Sequence, residues 1–136
     1  MIDRFDRKHT YLRLAVTDRC NLRCRYCMPA EGIQFSPKEE LLRYEEMLRL
    51  TQLLRHNGLT KVRLTGGEPL ARRGIEVLMQ GLLDQGLRVH ITTNAVLLDK
   101  FMVPKGPLYP LSGSNISLAS VNHERIGQST RREGFA

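Results

Sequence analysis

The stretch YLRLAVTDRCNLRCRYCMP, residues 11–29, runs from a predicted strand directly into three closely spaced cysteines. In its first six residues, leucine and valine alternate with other residue types, which is the period of a strand with two different faces. The strand is predicted to end at Thr17 and Asp18, just before the first cysteine. The fold therefore presents a thiol-bearing loop at the carboxyl end of its first strand.

Beyond this stretch, helical and strand patterns alternate. This alternation predicts an α/β fold in which crossovers join the strands of a parallel sheet of about four strands. No element is assigned to the last eighteen residues, and proline and glycine interrupt regular structure between residues 104 and 113. The expected elements are a helix over 38–57 capped by Gly58, a strand over 61–65, a helix over 74–85 closed by Gly86, a strand over 87–93, a helix over 95–102 and a strand over 115–118.

The unusual residues fall at the ends of the predicted strands. The cysteines follow the first strand, residues 66–69 (GGEP) follow the second, residues 92–94 (TTN) end the third, and Ser117 lies within the fourth. The carboxyl ends of parallel strands meet at one edge of a sheet, where such folds bind ligands. One functional site is therefore expected at this edge.

Length and composition limit the class of protein. A chain of 136 residues with 41% hydrophobic content fits one domain or part of one. It has no run of about eighteen apolar residues, and its charged start is unlike a secretory signal, so we expect a cytoplasmic protein without a membrane partner. Three cysteines within eight residues are unsuited to a disulfide framework in a reducing compartment, so metal binding is the better interpretation.

The net charge of +7 and the pI near 9.8 would attract anions. Charge alone does not distinguish nucleic acid from a small phosphorylated substrate. However, the basic residues are spread along the chain and only 6% of residues are aromatic, which is poor material for a base-stacking surface. We therefore expect no nucleic-acid partner.

Cys20, Cys24 and Cys27 have the spacing C-x3-C-x2-C. Three thiolates on one loop suit either an iron–sulfur cluster or zinc. Tetrahedral zinc would need a fourth ligand, for which His9 and His56 are the nearest candidates. A four-iron cluster with three protein ligands would instead leave one iron open.

The cysteine loop resembles the signature of the radical S-adenosylmethionine (SAM) superfamily, and GGEP resembles the second motif of that superfamily. The resemblance implies a 4Fe-4S cluster on the three cysteines, with SAM chelating the open iron. It also implies that the backbone at Gly67 approaches the amino group of SAM and that Tyr26 lies near the adenine.

Within the superfamily, the strings YLRLAVTDRCNLRCRYCMP, LLRYEEMLRLTQLL, KVRLTGGEPLARR and ITTNAVLLDKF resemble successive segments of the GTP cyclases of molybdenum cofactor biosynthesis. The resemblance implies conversion of GTP to a cyclic dihydro-GTP precursor through a deoxyadenosyl radical, with an electron donor for the cluster. It also implies that Ser117 contacts the cofactor and that GTP is bound by Arg13, Arg63 and Thr92.

Members of that family are longer and carry a second cluster on three later cysteines. The resemblance therefore implies that residues 1–136 are the N-terminal part of the core domain, a partial TIM-like β/α barrel without its C-terminal part. A homodimer or a complementing chain would cover the open sheet edges. Ala95 and Ala119 stand where the family has glycine and a carboxylate.

Two other functions remain open. One is a non-catalytic module that binds structural zinc or nucleic acid. The other is a radical SAM enzyme that modifies a different substrate, such as a peptide or nucleic acid.

Overall fold

The computed structural model describes residues 2–101, 111–118, 120 and 122–131. Four strands form one parallel sheet in the order β1-β2-β3-β4, so each strand lies beside the next strand in sequence. The sheet confirms the predicted α/β class with four parallel strands. The strands are β1 (Tyr11–Thr17), β2 (Lys61–Gly66), β3 (Arg88–Thr93) and β4 (Gly113–Ile116).

In the described part of the chain, three α-helices accompany the sheet: α1 (Tyr44–His56), α2 (Ile75–Asp84) and α3 (His123–Thr130). Short 3-10 turns occur at Lys38–Glu40, Pro69–Ala71 and Leu98–Lys100. Within the described residues, no helix has the length and apolar character needed to cross a membrane.

The core lies between α1, α2 and one face of the sheet. Alternate strand residues point into it, as the two-residue period predicts, and each fully buried aliphatic side chain contributes about 1.5–3 kcal/mol. The opposite, open face of the sheet carries Arg13 and Ala15, which are exposed. The core residues include Leu14, Val16, Val62, Leu64, Val89 and Ile91 from the strands and Met47, Ile75, Leu78, Met79 and Leu82 from the helices.

The prediction of one helix over residues 38–57 was wrong at its start. A 3-10 turn ends at Glu40, Leu41 is extended, and α1 begins only after Arg43. The Glu46 side chain accepts the Arg43 backbone N–H at 2.7 Å, forming a capping box that fixes the first turn. Arg72 donates to the Leu42 carbonyl at 2.7 Å and so holds the extended link.

The helix predicted over 95–102 is absent from the part of this segment that the structure describes, where only the 3-10 turn at Leu98–Lys100 forms; Met102 lies outside the described residues. Ala95 has a φ of 67°, which is incompatible with a right-handed helix. The Asn94 side chain accepts the Val96 N–H at 3.1 Å and turns the chain instead.

The fourth strand was predicted two residues too late. It spans Gly113–Ile116, so Ser117 follows the strand and does not lie within it, as had been expected. Gly113 pairs with His90, and a Cβ at residue 113 would lie 2.9 Å from the His90 ring, so close packing sets the register. The Ser117 N–H still donates to the Thr93 carbonyl at 2.8 Å.

The helix α3 lies in a region where the sequence assigned no element. Asn122 caps it by accepting the Arg125 N–H at 3.1 Å. Ile126 is its one buried large aliphatic residue among those described, so the helical apolar period is too weak to read from sequence.

Candidate functional site

The carboxyl ends of the four strands meet at one edge, as predicted. Cys24 and Tyr26 from the loop after β1 line a small cavity together with Asn94 after β3 and Ser117 after β4. Three of the residues predicted for cluster or cofactor binding are thus brought together. Gly67 does not line this cavity and instead packs against the base of the cysteine loop.

The glycine pair after β2 is required by this packing. A Cβ at Gly66 would lie 2.2 Å from the Thr17 carbonyl oxygen, and one at Gly67 would lie 2.2 Å from the Arg19 carbonyl oxygen. The Gly67 N–H donates to Thr17 at 2.7 Å, and the Glu68 N–H donates to Arg19 at 2.8 Å. The glycines therefore let one backbone lie directly against another; the contact of Gly67 with a cofactor amino group stays a prediction.

Glu68 joins this turn to the end of β3. Its side chain is 1% exposed and accepts three hydrogen bonds: from the Thr93 hydroxyl at 2.7 Å, the Asn94 N–H at 2.7 Å and the Leu70 N–H at 3.1 Å. These donors compensate for burying a carboxylate. Sequence reasoning gave Glu68 no role of its own, although an acidic residue directly after a buried strand and two glycines was the available signal.

Asn94 extends the network to the cysteine loop. Its Nδ2 donates to Asn21 Oδ1 at 2.8 Å and lies 3.8 Å from Cys20 Sγ. Sequence reasoning placed Asn94 at the correct edge but assigned it no contact. The GGEP turn, the end of β3 and the cysteine loop are therefore one connected unit.

The three thiols differ in exposure. Cys24 is buried, Cys20 is half-buried and Cys27 is exposed. Burial raises the pKa of Cys20, and nearby Glu68 and Cys24 raise it further. Partial desolvation by the surrounding loop also raises the pKa of Cys27, with Cys24 and Cys20 adding to the effect. The three thiols are therefore within electrostatic range of one another, and the raised pKa values favour the protonated form of Cys20 and Cys27.

The thiols do not yet converge on one centre. Within the described ranges, no group of three or more histidine, cysteine or acidic side chains is arranged to hold a metal ion. Ligation would require the three sulfurs to turn toward a common point, where a bound metal would favour their thiolate form. A set of three thiols on one loop is a donor set that suits an iron–sulfur cluster or zinc.

The two histidines considered for zinc are placed elsewhere. His9 precedes β1 and contacts Asp3 through Nε2 at 3.0 Å. His56 ends α1, and its Nδ1 lies 2.8 Å from the Gln52 carbonyl. Both lie toward the amino ends of the strands, whereas the cysteines follow the carboxyl end of β1. Neither histidine supplies a fourth ligand in this arrangement.

The carboxyl end of α3 is hydrogen-bonded to the cysteine loop. The N–H groups of Arg23 and Arg25 donate to the Thr130 and Ser129 carbonyls, each at 2.9 Å. The last carbonyls of a helix have no partner within the helix, so these bonds satisfy both elements. Arg131 Nη1 also donates to the Met28 carbonyl at 2.9 Å.

The residues predicted to bind GTP lie on the open face of the sheet. Arg13 pairs in register with Arg63, which pairs with His90, and Thr92 pairs with Asn115. Burial lowers the pKa of His90, and the cations of residues 61, 63 and 88 lower it further. Arg13 lies four residues before the end of β1 at Thr17, which is about 13 Å along the strand at roughly 3.3 Å per residue. This cationic face therefore lies outside the small cavity.

Two solved structures share this fold. The SAM-bound form of SuiB from Streptococcus suis matches with a TM-score of 0.67 at 18% identity, over 92% of this chain and 27% of its own. Another SuiB structure matches with a TM-score of 0.67 at 19% identity, over 90% and 27% of the two chains. These matches agree with a partial TIM-like barrel.

Several curated proteins match along the whole chain. The GTP 3′,8-cyclase of Petrotoga mobilis is 43% identical over 100% of this chain and 42% of its own length. The mitochondrial GTP 3′,8-cyclase of Arabidopsis thaliana is 45% identical, with coverages of 98% and 35%. Molybdenum cofactor biosynthesis protein 1 of Drosophila melanogaster is 45% identical, with coverages of 99% and 24%. The chain spans less than half the length of each relative.

These relatives bear out the resemblance to molybdenum-cofactor GTP cyclases found in the sequence. The radical SAM superfamily matches residues 14–135, which is nearly all of the chain and includes the second half of β1, the cysteine loop, the glycine turn and the strands β2 to β4. The chain therefore belongs to the radical SAM superfamily.

Proposed function

We propose that residues 1–136 form the N-terminal part of the core of a radical SAM GTP cyclase of molybdenum cofactor biosynthesis. The observation that carries the proposal is the connected unit of cysteine loop, GGEP turn and β3 end, at the carboxyl edge of a sheet whose open face is cationic. In this proposal Cys20, Cys24 and Cys27 hold a 4Fe-4S cluster. Free thiols of this kind suit a reducing compartment such as the cytoplasm.

A 4Fe-4S cluster held by Cys20, Cys24 and Cys27 would, together with SAM, supply radical chemistry by one-electron reduction of the sulfonium, with the electron provided by an external donor. The chain orients the cofactor. Tyr26, whose side chain is 74% exposed, offers a flat surface to the adenine. Ser117 lines the same small cavity as Tyr26, and the backbone at Gly67 would contact the amino group of SAM.

Arg13, Arg63 and Thr92 would bind GTP. The two arginines are adjacent across β1 and β2, and guanidinium groups bind phosphate oxygens through paired hydrogen bonds. Arg63 Nε is buried without a hydrogen-bond partner among the described residues. Because buried polar groups normally have a partner, this donor supports a ligand on the open face.

Complete cyclisation would draw on more than these residues. The strands β1 and β4 are the edges of the sheet, and unpaired edges readily accept another strand. We propose that further strands of the barrel cover them, supplied by the same protein, by a complementing chain or by a second copy. The electron donor is a further partner in this proposal.

The cluster is tested by anaerobic reconstitution with iron and sulfide. Absorbance and electron paramagnetic resonance spectra are recorded with and without SAM for wild type, Cys24→Ala and Met79→Leu. Met79 is a buried core sulfur outside the loop, so its variant is the matched control and should keep the cluster. A SAM-perturbed spectrum that is lost only in Cys24→Ala supports the proposal; zinc without iron would favour the non-catalytic module.

Substrate choice is tested by equilibrium binding of GTP. We expect Arg63→Ala to weaken binding at least tenfold, because a charged hydrogen bond contributes roughly 1.5–3 kcal/mol. Arg49→Ala, an exposed change on α1, should bind as wild type does. A cluster that responds to SAM in a chain that does not bind GTP would favour a radical SAM enzyme with another substrate.

A further inference from the structure

We propose that Asn94 is a positioning residue whose side-chain N–H donates to the sulfur of Cys20, holding this ligand in place and raising the reduction potential of the cluster. This inference rests on the proposed function, because it requires Cys20 to be a cluster ligand. The relevant distance is 3.8 Å from Asn94 Nδ2 to Cys20 Sγ.

The orientation of the Asn94 amide follows from its neighbours. Oδ1 accepts the Val96 N–H at 3.1 Å, which assigns the oxygen to that side of the amide. Nδ2 is therefore directed toward the cysteine loop, where it meets Asn21 Oδ1 at 2.8 Å and the Cys20 sulfur.

The backbone of Asn94 is held as firmly as its side chain. Its N–H donates to Glu68 Oε2 at 2.7 Å. The other carboxylate oxygen of Glu68 accepts from the Thr93 hydroxyl and the Leu70 N–H. Because Glu68 is buried, the donor at residue 94 has little freedom to follow a displaced sulfur.

The hydrogen-bond donors around Cys20 suit a metal-bound sulfur. As a thiol, Cys20 can donate to Asn21 Oδ1, which lies 3.9 Å from its sulfur. A metal-bound sulfur has no proton and only accepts. The two hydrogens of Asn94 Nδ2 then serve one acceptor each, Asn21 Oδ1 and Cys20 Sγ. The Leu22 N–H, at 3.4 Å, is a second donor to the same sulfur.

Hydrogen bonds to the sulfurs of a cluster stabilise its more negatively charged, reduced state and so raise its reduction potential. Asn94 would therefore ease reduction of the cluster. A purely structural role would leave the potential unchanged.

The test uses reconstituted wild type, Asn94→Ala, Asn94→Asp and Asn21→Ala. The midpoint potential is measured by a redox titration followed by electron paramagnetic resonance. Protein labelled with ¹⁵N-asparagine is examined by electron–nuclear double resonance for coupling of the cluster to an amide nitrogen. Asn94→Asp keeps the side-chain oxygen that accepts the Val96 N–H and so retains the local turn. It therefore serves as the test variant if Asn94→Ala does not fold.

We expect both Asn94 variants to have a more negative potential and to lose the ¹⁵N coupling, while Asn21→Ala keeps the coupling and a wild-type potential. If both Asn94 variants fail to take up iron while wild type and Asn21→Ala take it up, the result would support the inference that Asn94 positions Cys20. Equal potentials in wild type and the Asn94 variants, or the same shift in Asn21→Ala, would overturn the inference while leaving the proposed function standing. A wild-type chain that takes up no cluster would remove both.

Discussion

Substituting Gly67 by alanine should separate the GGEP turn from the cysteine loop. The added Cβ would lie 2.2 Å from the Arg19 carbonyl oxygen, 2.5 Å from its carbon and 2.8 Å from the Asp18 carbonyl oxygen. Ordinary contacts between such atoms are about 3.5–4.0 Å. All three neighbours are backbone atoms, so no side chain can rotate away, and the two segments must move apart by about 1 Å or more.

The cost can be estimated from what this movement breaks. The hydrogen bonds from Gly67 to Thr17 and from Glu68 to Arg19, at 2.7 and 2.8 Å, contribute about 1 kcal/mol each. Displacing packed atoms adds about 1–3 kcal/mol. We therefore expect Gly67→Ala to lower the free energy of unfolding by about 3–5 kcal/mol.

Urea unfolding of the metal-free chain, followed by circular dichroism, measures this loss. With a slope of about 2 kcal/mol per molar urea, the midpoint should fall by about 2 M. Gly127→Ala is the matched control, because a Cβ there meets no atom within 4 Å. Within α3 this change should be neutral or stabilise by up to about 1 kcal/mol.

A decrease of less than about 1 kcal/mol for Gly67→Ala, with an unchanged slope, would refute the reasoning. It would mean that the turn and the loop do not lie directly against each other in solution. Their shared network could then not position a cluster.

Three further predictions follow from single residues. Ala95 has a φ of 67°, a conformation that costs a non-glycine residue about 1–2 kcal/mol. Glycine removes this strain but loses more backbone entropy on folding, so Ala95→Gly should raise the free energy of unfolding by about 0.5–1 kcal/mol in the same urea assay. Burial lowers the pKa of His90, so as the pH falls the unfolded chain binds a proton at this residue before the folded chain does. The free energy of unfolding should therefore decrease as the pH drops from about 6.5 toward the lowered pKa of the folded state, and His90→Gln should remove that part of the pH dependence. Burial raises the pKa of Tyr44 to about 12, so a spectrophotometric titration should contain a tyrosine near that pH that disappears in Tyr44→Phe.

Much of the sheet could be predicted from sequence, because a buried face imposes a two-residue alternation. The bounds of β1, β2 and β3 differ from their predicted ranges by one residue at most. The start of α1 could not be read in this way, because an arginine is an unusual residue at the cap position that Arg43 occupies. Nor could the turn after β3, where Ala95 adopts a positive φ that the sequence pattern does not encode.

The edge that carries the candidate site was predictable, whereas its connections were not. Strand order alone brings the cysteines, the glycine pair and Ser117 to the same edge. The bonds of Glu68 and Asn94 join segments far apart in the chain, and no local pattern specifies them. The roles of the cysteines, Tyr26, Gly67, Ser117, Arg13, Arg63 and Thr92 toward cofactor and GTP stay predictions.

The support of the cysteine loop by α3 has a consequence for how the protein matures. The bond from Arg23 to Thr130 joins residues more than a hundred positions apart, and contacts of such long range form late because closing the intervening chain is entropically costly. During synthesis, the loop would leave the ribosome long before the helix that fixes it. Until that helix forms, the segment that carries the thiols is not held in its folded conformation, so assembly of the centre belongs after the chain has folded.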